Sequence, residues 1–161
     1  MKNIFLIAAI VFSVAASAQV TKVSLQASGL TCSMCSNSIN KALRTLDFVD
    51  KIDANIKTST FEITFKNGEG VDFDKLKKKV EDAGFSVARF IATVHFNNVQ
   101  AKANEPVQVG DKTFQFINLK GGELNGDRQV TIIDKGFVST KEFRNNPVAP
   151  VAGVRVYHVL I

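Results

Sequence analysis

Val23, Leu25 and Ala27 alternate with Ser24, Gln26 and Ser28, the two-residue period of a half-buried strand running from Val20 to Ser28 and broken by Gly29. The period then lengthens. Cys35, Ile39, Ala42, Leu43 and Leu46 fall on one stripe at helical spacing, with Asn37, Asn40, Lys41 and Arg44 turned to water. Two strands follow, in which Ile52, Ala54 and Ile56 and then Phe61, Ile63 and Phe65 alternate with polar residues; Lys57-Thr58-Ser59-Thr60 is the hairpin turn between them. Asn67-Gly68-Glu69-Gly70 ends the second of these strands. Asp72 or Asp74 caps a second helix whose apolar stripe is Phe73, Leu76, Val80 and Ala83 and whose stop is Gly84. A fourth strand runs from Phe85 to about Phe90. Strand, helix, strand, strand, helix, strand is the ferredoxin-like α+β order, which predicts a four-stranded antiparallel sheet with both helices on one face.

Beyond Ile91 no helical stripe appears. Short apolar runs, Thr93 to Val99, Pro106 to Val109, Thr113 to Asn118, Gln129 to Ile133, Phe137-Val138 and Val154 to Leu160, are punctuated by Gly121-Gly122, Asn125-Gly126 and Asn145-Asn146-Pro147. The expectation is a second, small all-β domain over residues 92–161, following a first over 19–91. An oligonucleotide-binding-type barrel would remove its sheet edges. Phe114, Phe116, Phe137 and Phe143, at strand spacing, are expected to fill its core. The boundary is soft, because Val87 to Phe96 also reads as one extended stretch.

The first 18 residues change the compartment. Lys2, the apolar run Ile4 to Val14 and the small residues Ala16-Ser17-Ala18 make a secretory signal peptide, cleaved after Ala18. The apolar run is too short to span a membrane comfortably, and no second one follows it, so the mature chain is expected to be periplasmic and not membrane-spanning. Net charge is +5 with the charges interspersed, a balance that gives solubility and argues against nucleic-acid binding.

All thiol chemistry must reside in Cys32 and Cys35, the two cysteines of the chain. Exported proteins generally use cysteines as structural bridges, yet a bridge across so short a loop adds little stability, so the pair is read as chemical. Cys35 is expected in the first helical turn and Cys32 just before it, where the helix dipole and free N–H groups favour thiolates. Two thiolates with no histidine or carboxylate nearby in sequence select soft ions. Cu(I) is the first expectation, Hg(II) the second and Zn(II) a further one, since two cysteines supply only half of its usual four ligands. Low coordination leaves such an ion open to an incoming thiolate, so transfer is as natural as storage.

Gly29-Leu30-Thr31-Cys32-Ser33-Met34-Cys35, with the helix after it and Glu81-Asp82-Ala83-Gly84-Phe85 after the second helix, resembles the heavy-metal-associated domain family over about residues 20–91. The resemblance implies a ferredoxin-like fold and makes Cys32 and Cys35 the metal ligands. Copper chaperones, the amino-terminal domains of copper- and zinc-transporting ATPases and an exported mercury-binding protein belong to that family. It implies as partner a metal-transporting membrane protein or another metal-binding protein. Leu30 stands where the family usually has a core-filling Met, Phe85 where it has an aromatic or a lysine beside the loop, and Phe48-Val49 replaces its usual Gly-Val.

An extracytoplasmic thiol–disulfide oxidoreductase is the alternative for the same cysteines, although Pro106, Pro147 and Pro150, the only prolines, all lie in the other half. The favoured reading is a non-enzymatic metal binder. A third reading makes residues 92–161 the working part, binding a transporter or envelope protein. Met34 reads as a spacer, Thr31 and Ser33 as helix caps, His95 and His158 as ordinary single histidines, and Lys75, Lys77, Lys78 and Lys79 as a solvated helix face.

Overall fold

The computed structural model describes residues 19–149 and 151–161; the signal peptide expected over residues 1–18 lies outside them. The first half follows the hydrophobic pattern closely: β1 (Val20–Ser28), α1 (Ser33–Leu43), β2 (Val49–Asn55), β3 (Thr60–Phe65) and α2 (Phe73–Asp82), then β4 (Ser86–Ala101). Asp72 caps α2, its carboxylate accepting from the Lys75 N–H at 2.9 Å. β1 lies between β3 and β4, antiparallel to both, and β2 is the outer strand. Val23, Leu25, Phe61, Ile63 and Phe90 are buried, and α1 and α2 pack against each other, with Ile39, Leu43, Leu76 and Val80 buried in the core.

The second half departs from the expected barrel. β4 is 16 residues long and runs straight through the 91/92 boundary. Its first part pairs with β1, and its stretch from Ile91 pairs with β7 (Gly122–Ile132). β5 (Pro106–Val109), β6 (Lys112–Phe116) and β8 (Val156–Leu160) complete one eight-stranded sheet of order β2-β3-β1-β4-β7-β8-β6-β5. It is mixed, because β6 and β8 are parallel, and it is not closed. The alternating run from Val87 to Phe96 pairs with β1 as far as Val94 and with β7 from Ile91, so the ladder passes from one neighbour to the other without a break.

Asn125-Gly126 is no turn either. Both residues lie within β7, where the register slips between Phe96 and Val99 and two β4 residues face one of β7. Asn98 at φ 48° and Gly126 at φ 73° absorb that bulge. A helix was also not expected here: α3 (Thr140–Asn145) is six residues, too short for a stripe, but Ser139 caps it and Glu142 sits three residues on, a capping-box pattern legible in the sequence.

Aromatic rings carry the core across the two halves. Phe73 of α2 meets Phe90 and Tyr157 at 5.2 Å each, and Phe90 meets Phe137 at 5.2 Å. Phe114, Phe116 and Phe137 are fully buried as expected, whereas Phe143 is half-buried.

Candidate metal site

Gly29 adopts φ 82°, a left-handed turn that ends β1 and turns the chain into the cysteine loop; a Cβ there would still stand 4.0 Å from Phe85. Leu30 is half-buried and packs on the core beneath the loop, the filling role its sequence position implied. Phe85 is likewise half-buried against the core. The helix cap is neither Thr31 nor Ser33 but Cys32 itself, extended at φ −151°, ψ 161°. Its sulfur accepts the Cys35 N–H at 3.3 Å, one of the unpaired donors of the first turn. A cysteine in the capping position is a signal that sequence reasoning passed over, because oxygen side chains are the usual caps.

The two sulfurs stand 2.6 Å apart with both thiols free. That is beyond the roughly 2.05 Å of a disulfide bond. It is closer than the ~4.6 Å that two sulfurs take on opposite sides of one ion at about 2.3 Å each. Rotation about χ1 of exposed Cys32 can open that gap, at the cost of the cap its sulfur makes on the Cys35 N–H. The hydrogen bond from Cys32 is the largest influence on Cys35 and holds its thiol below the ordinary range; partial burial opposes it, and hydrogen bonds from Thr31 and Cys32 backbone groups assist. The positive end of α1 lies at the same place. A two-sulfur, thiolate-prone, exposed site is what the loop presents.

Met34, between the cysteines, is 78% exposed. His95 and His158 are each held by an aspartate of their own: His95 Nδ1 to Asp127 Oδ1 at 2.7 Å on the surface, His158 Nδ1 to Asp134 Oδ1 at 2.6 Å in the interior. His158 is thus more buried than a lone strand histidine was expected to be. No group of three or more His, Cys, Asp or Glu suited to a metal ion occurs among the described residues. Lys75 and Lys78 are exposed as expected, but Lys77 lies over the Phe137 ring at 5.2 Å.

Residues 24–86 match the heavy-metal-associated domain. The chain is 37% identical over 79 residues to the mercuric transport protein periplasmic component of Pseudomonas fluorescens, covering 49% of this chain and 84% of that protein. It therefore belongs to the heavy-metal-associated domain family, through its first half. A copper-transporting ATPase of Saccharomyces cerevisiae is 41% identical over 64 residues, 40% of this chain but only 6% of the ATPase. Among solved structures, a yeast copper transporter domain in apo and Cu(I)-loaded states matches at 39% identity over 42% of this chain and 90% of its own, with a TM-score of 0.37. Oxidised MerP from Ralstonia metallidurans matches at 32% identity over 43% and 97%, with a TM-score of 0.38.

Proposed function

We propose that the protein binds one soft metal ion, Cu(I) before Hg(II) and Zn(II), through the thiolates of Cys32 and Cys35, and passes it to or withholds it from a partner outside the cytoplasm. One observation carries this reading: both sulfurs sit at the head of α1, Cys32 exposed and Cys35 partly so, within reach of one ion. No third cysteine, histidine or carboxylate joins them among the described residues. Two-coordinate sulfur suits Cu(I) and Hg(II) and leaves Zn(II) short of ligands. The relatives named above, a mercuric transport component and a copper-transporting ATPase, support the same class of ion. A metal-transporting membrane protein or another metal-binding protein is the partner that ligand exchange calls for. Export through a signal peptide cleaved after Ala18, to the periplasm, is part of the proposal.

Anaerobic titration of the reduced chain with Cu(I), followed by metal-edge absorption spectroscopy, tests it. The expected result is about one ion per chain with two sulfur neighbours, lost in Cys32→Ser/Cys35→Ser. A reduced wild-type chain that takes up no Cu(I) overturns the reading. The close approach of the sulfurs also supports thiol–disulfide exchange as the second reading. Turnover of a dithiol substrate by the metal-free protein would establish it, and absence of turnover would remove it.

A further inference from the structure

β8 is a central strand covered on both faces: Tyr157 and Val159 point into the aromatic core, while Val156 and His158 face the layer formed by α3 and by Val148, Val151 and Val154. Between them lies a cleft of about 290 Å³. Phe143, Val148, Val151, Val154 and Val156 give it an apolar side, and Asp134, Lys135 and Arg155 also line it. At its floor is His158, only 3% exposed.

The imidazole is fixed from behind. Nδ1 lies 2.6 Å from Asp134 Oδ1, and the other oxygen of that carboxylate accepts from Arg155 Nη1 at 3.1 Å. Arg155 is held in turn by Asp74 through Nε at 2.9 Å and Nη2 at 3.2 Å, so ring and carboxylate are both locked in orientation. Nε2 has no hydrogen-bond partner among the described residues. Yet none of their fully enclosed side-chain nitrogens or oxygens lacks one. Nε2 therefore looks onto open space, and the cleft is the space that His158 lines. An unpartnered ring nitrogen at the floor of an apolar cleft is costly to keep unless something completes it.

We propose that this cleft is a second binding site, separate from the cysteine loop, for a small apolar molecule carrying one hydrogen-bond donor. A neutral imidazole that gives its Nδ1–H to Asp134 presents Nε2 as an acceptor. The ligand supplies an O–H or N–H to that atom and lays its hydrocarbon against the valines and Phe143. An apolar side with a few fixed polar groups is the usual make-up of a small-molecule site, and of those here Asp134 and Arg155 are already paired with each other.

Phenol and toluene, equal in shape but differing by the hydroxyl, test this on the full chain. With long-range 1H–15N NMR, phenol is expected to shift the His158 Nε2 resonance saturably and to bind about threefold to tenfold tighter than toluene, the share of one hydrogen bond. His158→Phe should abolish that preference. Should this variant fold poorly, Val154→Asp at the exposed rim, remote from the core, should weaken both probes. Equal affinity for the two probes, or saturation without a change at Nε2, overturns the proposal. So does the absence of any phenol binding.

Discussion

Replacing Asp74 with alanine removes the polar joint between α2 and β8. The carboxylate accepts from Arg155 Nε and Nη2 at 2.9 and 3.2 Å and from the Tyr157 hydroxyl at 2.9 Å. A fully buried arrangement of this kind would be worth several kcal/mol, but Asp74 and Arg155 keep 42% and 46% of their side-chain surface exposed. Solvent screening therefore limits the ion pair to about 0.5–1 kcal/mol. The Tyr157 hydroxyl is more enclosed, and stranding it adds about 1 kcal/mol. The expected loss is about 2 kcal/mol, which for a chain of this size lowers Tm by roughly 4–8 °C. Urea unfolding of the metal-free protein measures it through the midpoint at unchanged slope. The pH dependence has a definite sign. Burial is the largest influence on Asp74 and raises its pKa, but the hydrogen bonds from Arg155 and Tyr157 and the charges of Arg155 and Lys77 together bring it below the usual carboxylate value. A depressed pKa means the stabilisation is present in full above the unfolded value near 4 and is lost as pH falls through the folded one. The gap between wild type and Asp74→Ala should accordingly be constant from pH 5 to 7 and narrow below pH 4. A gap below 0.5 kcal/mol at pH 7, or one that widens on acidification, would refute the reasoning.

Three further outcomes are expected. Gly29→Ala, which forces a side chain into φ 82° with little steric conflict, should cost about 1–2 kcal/mol and loosen the cysteine loop in NMR spectra; an unchanged unfolding midpoint would show that the turn is not held there. Cys32→Ala removes the hydrogen bond that chiefly lowers the Cys35 pKa, so the pH midpoint for Cys35 alkylation should move upward, and a midpoint that stays or falls contradicts the assignment. Phe90→Ala takes away a ring that meets Phe73 and Phe137 and should cost about 3–5 kcal/mol. Fluorescence probes placed in each half would report that loss together, and one half retaining full stability would exclude a shared core.

The first half was legible because each element there answers to local rules: alternation for β1 and β3, a stripe for α1 and α2, an aspartate cap, a glycine stop. The cysteine pair was legible for the same reason, as the helix that aligns both sulfurs begins within the motif. What the sequence could not reveal is non-local. The parallel pairing of β6 with β8 joins residues more than forty positions apart, and no turn marks it. Asn125-Gly126 is a strong hairpin signal, yet the same φ freedom serves a bulge when the partner strand carries Asn97-Asn98 opposite. His158 looks ordinary until Asp134, twenty-four residues earlier, is brought behind it.

That contrast bears on what the second half does for the metal site. Its recorded contacts reach α2 through Asp74, Phe73 and Lys77, and β4 through Phe90 and the Ser139 N–H to the Ala88 carbonyl at 3.1 Å. Cys32, Ser33 and Met34 remain exposed. Residues 92–161 therefore pack behind α2 and β4 and leave Cys32, Ser33 and Met34 open, which suits the proposed site, whose ion would be reached by a partner's thiolate. Openness has a chemical consequence. If the chain is exported as proposed, its two sulfurs, 2.6 Å apart, are close enough to join in an oxidising compartment, and a disulfide can hold no Cu(I). If the protein works as proposed, either metal occupancy or a reducing partner must keep the pair apart, so the metal-loaded chain should resist oxidation by glutathione disulfide far longer than the metal-free chain. Equal oxidation rates would mean that the bound ion does not engage both sulfurs.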